Sequence, residues 1–298
     1  MKSEQHSKVL LFFIDGLGIG SRSENNPLAK IADIAPLAHF KEENSEIIFD
    51  GILVPTDARL GVEGRPQSAS GQTTILTGIN APQILGKHKQ GFPNQALRDV
   101  IAEHSIFRQL KRRNIEPNVF ANAYTPGFFA ENPRWKSATT CAVEAADLPF
   151  RNIQDLVGRA AVFHDFSNQS LIDQNLDVPL YSPADVGEIL AGLTGLNRIT
   201  LYEYFITDKI GHAQNFEAAK IYLPPLAAFV RETLRRVDLK ITTVILTSDH
   251  GNIEDLSIRT HTLNDVPTVI WGRRSKEVAA RIKDLSHLTP AIINLLTE

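Results

Sequence analysis

The chain has 298 residues, 43% of them hydrophobic, which suits one large α/β domain with a small insertion better than two independent domains. With 31 basic against 34 acidic side chains, a net charge of −3 and no long like-charge run, it carries no electrostatic footprint for nucleic acid or an anionic membrane. The single cysteine, Cys141, excludes an intrachain disulfide framework, so a reducing, cytoplasmic setting for a soluble protein is the simpler expectation.

The apolar run VLLFFI (9–14) leads into Asp15. It is too short for a signal segment or a membrane span and reads as a buried strand. In chain order, the segments 8–15, 118–124, 199–208, 242–249 and 266–272 read as strands buried on both faces, as in a largely parallel sheet covered by helices. Helical periodicity fills 96–114, 184–193 and 216–237, and Pro224-Pro225 is expected to break the last of these. The cluster Lys111-Arg112-Arg113 falls where the first helix should end and complements its dipole there. The C-terminal LTPAIINLLTE reads as a short helix with Thr289 as N-cap and Pro290 at its first position. Alternating strands and helices predict an α/β sandwich, with 125–182, rich in Asn, Asp, Pro and aromatic residues, as a small insertion or cap.

Ligands of open α/β sheets bind beyond the carboxyl ends of the strands. Three expected strands carry ionisable residues there: Asp15; Asp208 with His212 four residues on; and Asp249-His250. His261 precedes the next strand. Taken singly, an Asp after a strand is usually a turn or cap residue, and a lone His a hydrogen-bonded structural one. Three Asp and three His converging on one sheet edge instead suit Zn²⁺ or Mn²⁺, and six such groups suffice for two ions. A Rossmann or P-loop reading is weaker, since DGLGIG (15–20) lacks the full glycine spacing.

In combination and in this order, FIDGLGIG, TDKIGH, TSDHGN and THT…VP resemble the metal core of the alkaline phosphatase superfamily, on the side of the cofactor-independent phosphoglycerate mutases and phosphopentomutases. SENNPLAKIADIAPLAHF (23–40) also resembles the Asn-containing segment that follows the first motif in the mutases. The resemblance covers about 1–124 and 184–298. It implies a mostly parallel sheet sandwiched by helices, and two divalent ions, Mn²⁺ or Zn²⁺. Asp15, Asp249 and His250 would hold one ion with the nucleophile, and Asp208, His212 and His261 the other.

PQSASGQTTILTG (66–78) supplies the hydroxyls. In phosphatases, nucleotide pyrophosphatases and sulfatases the nucleophile starts a helix ten residues before the Gly of a Thr-Gly pair, which points to Ser68. The short Gly-x-Ser-like context of the mutases points to Thr73 instead; Ser68 is preferred. Either hydroxyl would sit at a helix N-terminus, where free N–H groups bind phosphate. Gln72 could donate to a phosphate oxygen where sulfatases have Arg, which counts against sulfatase activity. Arg65, Lys87, His88 and Arg134 are further candidates to grip substrate. The expected activity is phosphotransfer on a small phosphorylated molecule through a phosphoseryl intermediate, as hydrolase or mutase. A phosphodiesterase or pyrophosphatase-like hydrolase, or a silent phospho-ligand-binding relative, are the alternatives.

Overall fold

A computed structural model describes residues 6–42, 47–131 and 133–298. Its main sheet has six strands in the order β2-β8-β7-β1-β6-β3. These are β1 (Lys8–Ile14), β2 (Ile52–Thr56), β3 (Asn118–Phe120), β6 (Ile199–Tyr204), β7 (Thr242–Thr247) and β8 (Val266–Gly272). A second, two-stranded sheet pairs β4 (Ala123–Tyr124) with β5 (Arg151–Asn152).

Strands β7, β1, β6 and β3 run parallel, but β8 is antiparallel to β7, and β2 is antiparallel to β8. A parallel return to the sheet needs a crossover that carries the chain back to the far edge. Residues 248–265 contain no such crossover, so β8 starts at the edge where β7 ends and the sheet is mixed.

Alternation along β1 sends Leu10, Phe12 and Ile14 into one apolar cluster and Val9, Leu11 and Phe13 into the other. The helices Pro183–Leu196 and Phe216–Arg236 cover the first face. The helices Ser68–Thr77, Ala138–Ala145 and Leu288–Thr297 cover the second. The stretch after β4 also builds a small cluster around Leu156, Phe163 and Leu171. Among the described residues no helix is long and apolar enough to cross a membrane.

Several element boundaries differ from expectation. Asn122 divides the expected strand 118–124, and β6 stops at Tyr204 because the chain turns helical at Ile206. The first helix divides at Ser105, whose Oγ accepts from Arg108 N and caps a second helix, Ile106–Lys111. Pro224 and Pro225 do not break their helix, which runs unbroken over Phe216–Arg236. An interior proline costs about 3 kcal/mol, whereas burying Leu223, Leu226, Phe229 and Val230 stabilises by about 1.5–3 kcal/mol each. The last helix begins at Leu288 after His287, so Thr289 is not its N-cap; Thr289 Oγ1 instead donates to Ile75 O at 2.7 Å, tying it to the Ser68 helix.

Candidate metal centre and cleft

Asp15 follows β1, Asp249 and His250 follow β7, and His261 lies in the segment that returns to β8. Asp208 and His212 stand four residues apart in the helix Ile206–Ala213 and so share one face. Asp208 thus occupies a first helical turn rather than a strand end. Gly16, at φ +73°, lets β1 approach this helix: a Cβ there would stand 2.9 Å from Asp208 Cα.

All six residues converge. Asp208, His212 and His261 form one group with ligand atoms within 4.8 Å of one another, and Asp15, Asp208 and His250 form a second. Asp208 is therefore common to both groups. Asp249 lies with them, its Oδ2 3.5 Å from His250 Nε2, and both Asp15 and Asp249 accept from Gln72 Nε2 at 3.2 Å.

The donor atoms suit a cation. His261 Nδ1 bonds to Pro66 O and His212 Nδ1 to Arg259 O, each at 2.8 Å. A carbonyl only accepts, so each Nδ1 carries the proton and each Nε2 a lone pair. The two Nε2 atoms face one another at 3.1 Å, with Asp208 oxygens 3.3 and 3.6 Å away. Only an added positive charge resolves that repulsion, and a carboxylate–imidazole set suits a divalent ion. Asp15 Oδ1 and Asp249 Oδ1 are also buried without a hydrogen-bond partner.

Electrostatics agree. Burial, followed by the Asp249 and Asp208 carboxylates, holds Asp15 well above the usual carboxylate range. Asp249 is pushed up to about 8, by burial first and Asp208 second. Burial, with His261 nearby, keeps His250 neutral, far below the ordinary histidine range. Because folding raises the Asp249 pKa, the metal-free native chain binds more protons than the unfolded chain, and this contribution to stability falls as pH rises from about 4 to about 8. A bound cation replaces those protons. Protons also compete with the cation for the ligand histidines at acid pH, which widens the gap in the same direction as pH rises. The melting temperature gained on adding Mn²⁺ or Zn²⁺ to chelated protein is expected to widen between pH 5 and pH 8. A constant or narrowing gap in thermal melts would contradict this carboxylate assignment.

The hydroxyls separate cleanly. Ser68 is the first residue of its helix, and its Oγ lies 3.0 Å from His250 Nε2. Thr73 is fully buried further along, with Oγ1 donating to Ala69 O at 2.6 Å. Ser70 Oγ and Thr74 Oγ1 likewise donate to backbone carbonyls. The first intrahelical bond of this helix runs from Gly71 N to Gln67 O, so the Ser68 and Ala69 amides precede its ladder. Gln72 Nε2 bridges Asp15 and Asp249 at 3.2 Å each.

Not every expected contact reaches the site. Arg65 Nη1 donates to His261 O at 2.7 Å, supporting the His261 backbone. Lys87 and His88 line a separate depression with Arg65, and Arg134 lies over the Trp135 ring. The cleft beside the cluster, about 560 Å³, is instead lined by Asp15, Ser68, Gln72 and Asp208 at one end and by aromatic side chains, Glu203 and Lys209 elsewhere.

Two supporting residues escape sequence reasoning. Asn252 Nδ2 donates to Asp208 O and Oδ1 at 3.1 and 2.6 Å. Buried Glu254 accepts from Gly18 N, Asn252 N and Asn264 Nδ2 at 2.8–3.0 Å and also from Thr262 Oγ1, joining the loops after β1 and β7. The only signal for either was proximity to the Asp-His-Gly motif.

The family model of the Metalloenzyme superfamily matches residues 179–297, the part that holds five of the six clustered residues. The alkaline phosphatase of the Antarctic bacterium TAB5 shares the fold, with TM-score 0.55, 15% identity and 98% of each chain covered. So does the PH0037 protein of Pyrococcus horikoshii, with TM-score 0.57, 13% identity, and 98% and 97% covered. The chain has an alkaline phosphatase-like fold, and its residues 179–297 match the Metalloenzyme superfamily model. In particular, the 2,3-bisphosphoglycerate-independent phosphoglycerate mutase of Sulfurimonas denitrificans is 28% identical over 127 residues, 40% of this chain and 25% of the relative. The Clostridium botulinum enzyme of that name is 31% identical over 96 residues, 30% and 19% respectively. The chain thus matches about a quarter or less of the length of these relatives.

Proposed function

We propose that this protein is a two-metal phosphohydrolase: Ser68 takes the phosphoryl group of a small phosphate ester as the ester P–O bond breaks and the alcohol leaves with the Ser68 proton, and water then releases inorganic phosphate and restores the hydroxyl. The observation that carries this reading is Ser68 Oγ at a helix start, 3.0 Å from His250 Nε2 and beside the carboxylate–imidazole cluster. Asp15, Asp208 and His250, with Asp249 adjacent, would hold one divalent ion, and Asp208, His212 and His261 another. When bound, such ions supply Lewis acidity toward the Ser68 hydroxyl and the phosphoryl oxygens. The Ser68 and Ala69 amides at the positive end of the helix face the incoming phosphate. Gln72 aligns Asp15 with Asp249, and Asn252 orients Asp208. Transfer to water is favoured over return to substrate by the half-exposed Phe92 and the exposed Lys209 on the cleft lining. A mutase would retain the phosphorylated product behind a closure.

Metal analysis of the purified protein, paired with a screen of phosphomonoesters and diesters in Mn²⁺ or Zn²⁺, tests the reading. Bound divalent metal and release of inorganic phosphate are expected. No metal and no turnover with any ester would refute it, and isomerisation without phosphate release would reassign it as a mutase.

A further inference from the structure

Away from the metal end, the cleft has one buried carboxylate whose charge the described residues leave uncompensated. Glu203, on β6, is 8% exposed and lines the cleft, yet forms no ion pair among those residues. Its backbone is held by Asn122, whose side-chain amide accepts from Glu203 N and donates to Glu203 O at 2.9 and 2.8 Å. Asn122 is therefore occupied with the backbone and not with a ligand. The Thr139 hydroxyl supports the carboxylate. The neighbouring polar groups satisfy one another: Tyr124 Oη with Thr140 Oγ1, and Ser137 Oγ with the same atom, each at 2.9 Å. The rest of this end is mainly aromatic, with the ammonium of exposed Lys209 4.6 Å over the Phe205 ring. His164 packs between Phe163 and Phe205 in tilted contacts, with centroids 4.1 and 4.4 Å away, and Tyr124 packs on Phe128 at 4.3 Å. Burial holds His164 down at about 4, so it adds no positive charge.

A desolvated carboxylate and aromatic ring faces select the same chemistry. Each attracts an organic cation, the first by charge and the second through the ring quadrupole. Each also disfavours an anion placed there.

We infer that the Glu203 end of the cleft is a subsite for an organic ammonium group, so that the preferred substrates are phosphate esters with an apolar body and a cationic amine. This inference rests on the phosphotransfer reading for the phosphate end only. It runs against acidic substrates such as phosphoglycerates, whose carboxylate would face Glu203.

The test is calorimetric binding to metal-loaded protein of three ligands that cannot turn over: benzylphosphonate, its 4-aminomethyl derivative and its 4-carboxy derivative. The ammonium compound is expected to bind about tenfold more tightly than the neutral one, and the carboxylate about tenfold more weakly. Glu203→Gln should shrink the ammonium preference to about twofold. Equal affinities on the unsubstituted protein would overturn the inference, as would a preference that survives in a folded Glu203→Gln variant. Should no phosphonate bind, benzylammonium alone decides. Binding to the unsubstituted protein but not to Glu203→Gln keeps the subsite while removing the phosphoryl reading; no binding to either overturns the inference.

Discussion

Ser68→Ala is expected to lower turnover of any accepted phosphate ester by about 10³-fold or more, while bound metal stays close to its unsubstituted level. The hydroxyl sits beside the cluster, but the carboxylate and imidazole atoms form both groups without it. Losing it removes the acceptor of the phosphoryl group and not the cation site. Thr73→Val is the matching control. Thr73 Oγ1 is spent on Ala69 O inside the helix, so turnover should stay near that of the unsubstituted protein, at a small stability cost. Stopped-flow or steady-state assays with metal analysis of the same samples check both. Retained activity in Ser68→Ala would dismiss the nucleophile assignment, and loss of activity in Thr73→Val with an intact fold would shift it.

Asp208→Ala should have the larger effect on metal content. Asp208 belongs to both groups, one oxygen 3.3 Å from His212 Nε2 and the other 3.6 Å from His261 Nε2. Removing it leaves each group a ligand short, and tightly held metal is expected to fall to roughly half or less. His212→Ala touches a single group and should spare the other ion. Mass spectrometry of the native protein with elemental analysis distinguishes the two variants. Equal losses from Asp208→Ala and His212→Ala would show that Asp208 is not shared. A full metal complement in Asp208→Ala would remove it from the ligand set.

Five of the six ionisable residues were legible because they follow a conspicuous apolar run, as in FFID and VILTSDH, or stand at helical spacing, as in TDKIGH; His261 was marked only by preceding the next strand. Strand ends in an α/β sheet share one edge, so residues there meet even when far apart in the chain. The grouping was less legible. Asp208 looked like a strand-end residue because the apolar pattern of β6 continues past Tyr204, while the backbone had already turned helical at Ile206. That turn carries the carboxylate between both imidazole sets. The choice between Ser68 and Thr73 also awaited the structure, since five positions along a helix change the facing direction and the depth of burial together.

By itself, then, the sequence determined the α/β alternation, the twofold apolar burial of the central strands and the metal-binding chemistry, because each is written in residue type and local period. Tertiary structure alone decided the antiparallel course of β8, the continuity of the helix through Pro224-Pro225, the sharing of Asp208 and the meeting of Glu203 with an aromatic lining. Each of these depends on energies summed between distant segments: a loop that never crosses the sheet, buried side chains that outweigh two prolines, and a cleft walled from both β6 and the stretch after β4. No local window contains those sums.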